Sequence, residues 1–259
     1  MTSDVDEHPE LEAGAKPFLD HLEDLRTMLV RSVAALFLGM IIAMPLVPYI
    51  LDIIYIPWER AGRLREDLII LEVLSPISIF MRVSFWTGIT LAAPFIVFFI
   101  AQFVFPGLLA KEKKVIRVAG CVSIFLFVAG ILMGFFFTVP IAYKFMAAVS
   151  EWMGVATEKV VLMSYITVTL RLVLAFGLAF QLPVILFSLG YLGLVHTRTL
   201  RNKRPHIVIG ILFISMMMTP ADPMTMLMMA GPLYALFEVC ILLIRGKELR
   251  DERIAARDA

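Results

Sequence analysis

The sequence predicts an all-α integral membrane protein that crosses the bilayer several times. Three observations predict it. Six apolar stretches fill most of residues 27–244 of a 259-residue chain. Hydrophobic residues make up 60% of the chain and the mean hydropathy is +0.89, far above what a soluble domain keeps in solution. The short segments between the stretches alternate in lysine and arginine content. The predicted spans are Thr27–Pro48, Ile77–Phe105, Val115–Val139, Tyr165–Gly190, His206–Met218 and Met224–Ile244. A hydrocarbon core of about 30 Å takes about 20 helical residues. The fifth stretch is shorter than that and reaches only about 20 Å, so it must thin the bilayer or sink among its neighbours. The domain plan that follows is an acidic tail at 1–19, a six-helix membrane domain at 20–245 and a basic tail at 246–259, with the last two helices short.

Charge sets the expected orientation. Of 23 lysines and arginines, sixteen lie on the N-terminal flank, the segments between spans two and three and between four and five, and the C-terminal tail. Basic segments stay on the cytoplasmic side, which puts both termini there. The tail at 1–24 holds eight acids against Lys16 alone, the opposite of a signal peptide, and reads as a solvated, disordered segment. A net charge of +1 gives no reason to expect nucleic acid. Cys121 and Cys240 both fall in apolar stretches, so neither a disulfide framework nor a Cys/His metal site is expected, and no cofactor.

The elements are punctuated in order. Asp20 and Glu23 fit a capping box that opens span one. Ser75-Pro76 opens span two with a capping hydroxyl and a first-turn proline, and Asp222-Pro223 repeats the device for span six. Thr219-Pro220-Ala221-Asp222-Pro223 must turn the chain between spans five and six, with Asp222 favoured as a cap over a ligand. Pro94, Pro183 and Pro232 lie within spans, where each favours a kink. Pro57-Trp58 and the run from Tyr143 to Met153 carry aromatic groups beside charges, as interfacial segments do.

A few polar groups in the spans need partners. Gln181 lies mid-span, where an unpaired amide costs several kcal/mol. Its partner is a neighbouring helix, the carbonyl freed by Pro183, or a guest helix. Glu238 is either functional or paired with a base at the cytoplasmic face. Arg171 can snorkel to the headgroups and is assigned no role. Asp24 and Glu112 read on their own as ordinary surface charges.

Taken in order, these segments resemble the TatC family, the six-helix core of the twin-arginine protein translocase, over His21 to Ile244. His21-Leu22-Glu23-Asp24-Leu25-Arg26 resembles the opening motif. Ser75-Pro76, Ala93-Pro94, Phe103 to Leu108 and Lys111 to Lys114 resemble span two and the first inner loop. Phe176-Gly177 through Gln181-Leu182-Pro183 resembles the fourth-span motif, Leu200 to Pro205 the second inner loop, and Thr219 to Asp222 with Pro232 to Glu238 the last turn and span.

The resemblance implies a receptor, not an enzyme, in a prokaryotic inner membrane. It implies recognition of twin-arginine signal peptides at the cytoplasmic face by Asp24 and Glu112, with Phe103, Glu23 and Arg26 around them. It implies recruitment of the single-span proteins TatA and TatB, export of folded proteins driven by the proton-motive force, and assembly of several copies of the chain. Gln181, Pro183, Glu238 and Thr225 become candidate contacts for partner helices, with Asp222 and Pro220 as the structural turn. Three departures stand out: Asp24 in place of a usual glutamate, Gln181 where many members have glutamate, and Thr225-Met226 in place of Ser-Gln. An amide does not titrate, so Gln181 acts by hydrogen bonding. The competing reading is an ion-coupled solute transporter, which needs paired charges near the midplane. No HExxH or GxSxG motif points to an enzyme.

Overall fold

Hydrocarbon offers no hydrogen-bond partner to a backbone, so a chain this apolar must close its backbone bonds within each segment. The computed structural model describes residues 10–104, 113–155, 159–191, 193, 195–219 and 222–258, and almost all of them are helical. Among these residues five helices are long and apolar enough to cross a membrane, and a further apolar helix, Arg204–Met218, is shorter.

Helix α1 runs from Glu10 to Arg60, about 76 Å. It starts well before Asp20, which is therefore interior to the helix and not its N-cap. Residues 10–19 are rich in Glu, Leu and Ala, good helix formers that carry the helix backwards. It also runs through Pro45 and Pro48, where the sequence predicted its end, since within a bilayer breaking the helix costs more than the bond a proline removes. After a turn, α2 spans Ser75–Val104, opening at Ser75-Pro76 as expected and holding Pro94 inside. Helices α1 and α2 meet at two glycines. A Cβ on Gly39 would lie 2.5 Å from the Gly88 carbonyl oxygen, and one on Gly88 would lie 2.8 Å from the Met40 backbone. Only hydrogen fits between the backbones there.

The third span is longer than predicted. Helix α3 (Lys113–Met133) passes through a wide π turn (Gly134–Thr138) directly into α4 (Val139–Trp152). Pro140 offers no N–H to Phe136, and the wide turn just before it absorbs the mismatch. The aromatic run from Tyr143 therefore continues this helix.

Helix α5 (Leu162–Ala179) is the hub of the molecule, buried on most of its surface. Its Leu172, Phe176 and Phe180 pack with Phe135, Val139, Met229 and Leu233. Towards the end where α1 finishes, Tyr165 and Ile166 pack with Trp58, Ile54 and Val83. A Cβ on Gly130 would lie 2.6 Å from the Phe176 carbonyl oxygen, so α3 and α5 also approach to backbone contact.

At Phe180-Gln181 the span breaks, and α6 (Leu182–Tyr191) resumes it. Pro183 cannot donate to the Ala179 carbonyl, and Gln181 N–H turns back to Leu178 at 3.0 Å. The short α7 (Thr197–Asn202) leads to α8 (Arg204–Met218), about 22 Å long. The final helix α9 (Pro223–Asp258) is about 54 Å long, so only the fifth of the predicted spans is short as a helix. Past Ile244, Glu, Lys, Arg and Leu continue α9 without a proline to stop it.

The end of the bundle where α1 finishes is tied by a feature not legible in the sequence. Two-residue strands β1 (Leu68–Ile69) and β2 (Val160–Val161) pair in parallel, Leu68 with Val160 and Ile69 with Val161. Beneath them the rings of Trp58, Tyr143 and Tyr165 stand 5.1–5.5 Å apart, and the Trp58 indole donates to the Leu64 carbonyl at 2.7 Å. The lateral surface exposes Phe37, Ile41, Phe125, Phe213 and Leu242, which is the face a lipid-solvated bundle presents.

The glycine crossing yields a test. Gly88→Val should cost about 1–3 kcal/mol through overpacking. Gly210→Ala, where a Cβ meets nothing within 4 Å, should be neutral or slightly stabilising. Thermal unfolding in detergent separates them, and equal midpoints would show that the α1–α2 approach is not tight.

Candidate functional site

The end of the bundle where α1 begins and α2 finishes brings the sequence-predicted Phe103 against His21 of the opening motif. The His21 imidazole stacks on the Phe103 ring, with centroids 4.5 Å apart and planes inclined by 19°. Asp24 is one turn further along α1, on the same side as His21. Asp24, Glu23 and Arg26 are all exposed, and among the described residues none of them forms an ion pair. Glu112 lies outside the described residues, next to Lys113 where α3 starts, and Pro220 lies outside them too. The described surface is thus an open aromatic platform flanked by free carboxylates. Such a surface can accept planar cationic groups by two-point, charge-assisted hydrogen bonds. His21 was legible only as part of a motif; its ring contact is set by how α1 lies against α2.

The intramembrane polar groups are already partnered. Gln181 is 2% exposed. Its amide nitrogen donates to the Ser123 carbonyl at 3.0 Å, and its amide oxygen accepts the Ser123 hydroxyl. This locks the α5–α6 break onto α3. Pro183 is buried, and its carbonyl accepts the Cys240 thiol at 3.3 Å, joining α6 to α9. Glu238 pairs with Arg204 at 2.6 Å and accepts the Tyr234 hydroxyl at 2.9 Å, the ion pair that was one of its two expected roles. Asp222 is the cap expected of it. It accepts the Thr225 N–H at 2.8 Å and the Thr225 hydroxyl at 2.6 Å, and Thr225 is fully buried in that turn.

Two further arginines sit between α2 and α5. Arg82 donates to Thr167 at 2.9 Å, and the Arg171 guanidinium lies over Trp86 at 5.9 Å. These rungs are one helical turn apart and use only neutral partners. Ser123, Arg204 and Thr167 carried no sequence signal of their own, because each matters only through a partner dozens of residues away. Among the described residues no group of three His, Cys, Asp or Glu side chains is placed to hold a metal ion.

Comparison with known proteins places this architecture. The model of the family described as Sec-independent protein translocase protein (TatC) matches residues 20–232. The TatC protein of Deinococcus radiodurans is 34% identical over 242 residues, covering 90% of this chain and 87% of its own. That of Aquifex aeolicus is 31% identical over 88% of this chain and 94% of its own. That of Escherichia coli is 28% identical over 89% and 88%. A crystal structure of the twin-arginine translocase receptor TatC in the detergent DDM superposes with a TM-score of 0.74 at 31% identity, covering 86% of this chain and 98% of that one. A second crystal structure of that receptor gives 0.73 at 30% identity. With matching helices, matching motif order and coverage of nearly the whole chain, this protein belongs to the TatC family of Sec-independent protein translocases.

Proposed function

We propose that this chain is the receptor and core subunit of a twin-arginine translocase, binding twin-arginine signal peptides at the cytoplasmic face of a prokaryotic inner membrane. The observation that carries the reading is the exposed carboxylate surface beside the His21–Phe103 stack. Two adjacent guanidinium groups need carboxylates in the open and a flat apolar surface alongside. Asp24 and Glu112 supply the charge, with Glu23 and Arg26 at the rim and Phe103 as the platform. The protein is a translocase component and not an enzyme. The excess of lysine and arginine in the inner loops supports a cytoplasmic placement of both termini.

The partners in this reading are TatA and TatB, further copies of the chain, and folded precursors moved by the proton-motive force. Gln181, Pro183, Glu238 and Thr225 are its candidate partner-helix contacts. The short α8 favours local thinning of the bilayer beside them. Because Gln181 already bonds Ser123, a partner helix that reaches it must compete for that amide. The transporter reading loses ground because the polar groups within the spans, Gln181 and Glu238, are occupied by structural bonds.

Photocrosslinking from position 112 to a twin-arginine precursor tests the site. Crosslinks should appear with the arginine pair and vanish when both arginines become lysine; equal crosslinks would return the transporter reading to the front. Glu112→Ala, and less strongly Asp24→Ala, should weaken peptide binding roughly 10- to 150-fold, the loss of a hydrogen bond to a charged group, with the protein still in the membrane. Retained binding in both variants would exclude this site. Gln181→Leu should leave peptide binding intact, weaken association with TatA or TatB, and lower stability by about 0.6–2 kcal/mol. Unchanged association would confine Gln181 to the fold.

A further inference from the structure

The basic end of the bundle carries a cationic feature on α7 and α9, away from the α1–α2 surface. A cavity of about 280 Å³ is lined by Thr197, Arg198, Arg201 and Asn202 from the first and by Arg245 and Glu248 from the second. Leu200 anchors α7 by packing with Phe237, Ile241 and Ile244 of α9, which turns Arg198 and Arg201 outward to flank the gap. Thr197 N–H donates to Glu248 at 2.9 Å and closes the floor.

The bases nearby divide into two sets. Arg204 is spent on Glu238, and Lys247 is held by the Tyr191 carbonyl and ring. Arg198, Arg201 and Arg245 have no ion pair among the described residues, although all three line one cavity. The cavity therefore holds three arginines against one carboxylate, and that carboxylate already has a backbone donor. The Thr197 hydroxyl is buried beside that same Glu248 carboxylate.

Its level along α9 says what kind of anion it meets. The helix changes from apolar to charged between Ile244 and Arg245, and Arg245 lines the cavity. Immediately before, Leu242 and Leu243 are 62% and 54% exposed, as lipid-facing residues are. The cavity thus stands where hydrocarbon gives way to headgroups, and basic pockets at that level bind anionic headgroups. We propose that it binds the phosphodiester of an anionic phospholipid, with Arg198, Arg201 and Arg245 clamping the phosphate oxygens and an acyl chain lying along Leu242, one turn before Arg245 on the same face of α9. Forked guanidinium groups match phosphate oxygens two at a time. The chemistry is opposite in sign to the carboxylate surface on α1, so the site is independent of the receptor reading.

The test uses the full chain in phosphatidylcholine nanodiscs, with and without phosphatidylglycerol. Wild type should unfold at a higher temperature with phosphatidylglycerol and keep it through detergent extraction. The triple variant Arg198→Gln, Arg201→Gln, Arg245→Gln should lose both effects, retaining at least about tenfold less of that lipid. Arg253→Gln, exposed on α9 beyond the cavity, should behave as wild type. Equal retention by the triple variant and wild type overturns the proposal. So does inorganic phosphate raising the midpoint as much as the lipid, because the ligand is then free phosphate. Should the triple variant fail to fold, a photoreactive phosphatidylglycerol on wild type decides: labelling of 197–202 and 245–250 supports the site, and labelling elsewhere overturns it.

Discussion

In hydrocarbon every backbone N–H and C=O must be satisfied by the protein itself, and the shape of this molecule is largely a response to that demand. Helix α1 continues through Pro45 and Pro48 because ending there would strand more carbonyls than the prolines do. Before Pro140 the chain widens into a π turn instead of stopping. Among the described residues a span breaks at Pro183, and there the Gln181 side chain is held by Ser123 at the break. The amide that looked out of place in an apolar span is thus part of how the fold pays for its proline.

Packing follows from a second shortage. Lipid tails are as apolar as leucine, so burying apolar surface drives helices together weakly, and close van der Waals approach has to do more. The glycines at positions 39, 88 and 130 let helix backbones touch, and α5 gathers the aromatic side chains that fill the space between the others. Charges are distributed by the same logic. Those that stabilise the bundle are paired across helices, as in Arg204–Glu238. At the surface where α1 meets α2, Asp24 is left open, and that is where a cationic ligand can compete for it.

Much of this was legible in the chain. The membrane class and helical content, the start of α2 at Ser75-Pro76, the capping role of Asp222 and the motif order that marks the family are all properties of local sequence. Span limits were less legible. Pro48 and Val139 looked like ends because proline and charge end helices in water, while the bilayer and neighbouring helices carry them further. The Asp20 capping box failed for a similar reason: capping residues mark helix starts only where the preceding residues do not themselves favour helix. The β1–β2 pair joins residues some ninety positions apart, and nothing in either two-residue strand announces the other.

The sequence by itself determined the solvent of this protein, its secondary structure and its family, because hydropathy, helix propensity and motif order act over short spans of chain. Only the tertiary structure decided which polar groups are spent and which are free. Gln181 and Ser123, Glu238 and Arg204, and His21 and Phe103 meet by helix packing over long separations in sequence. Whether a buried or surface polar group is structural or available depends on what faces it, and that is fixed by the arrangement of helices and not by any one of them.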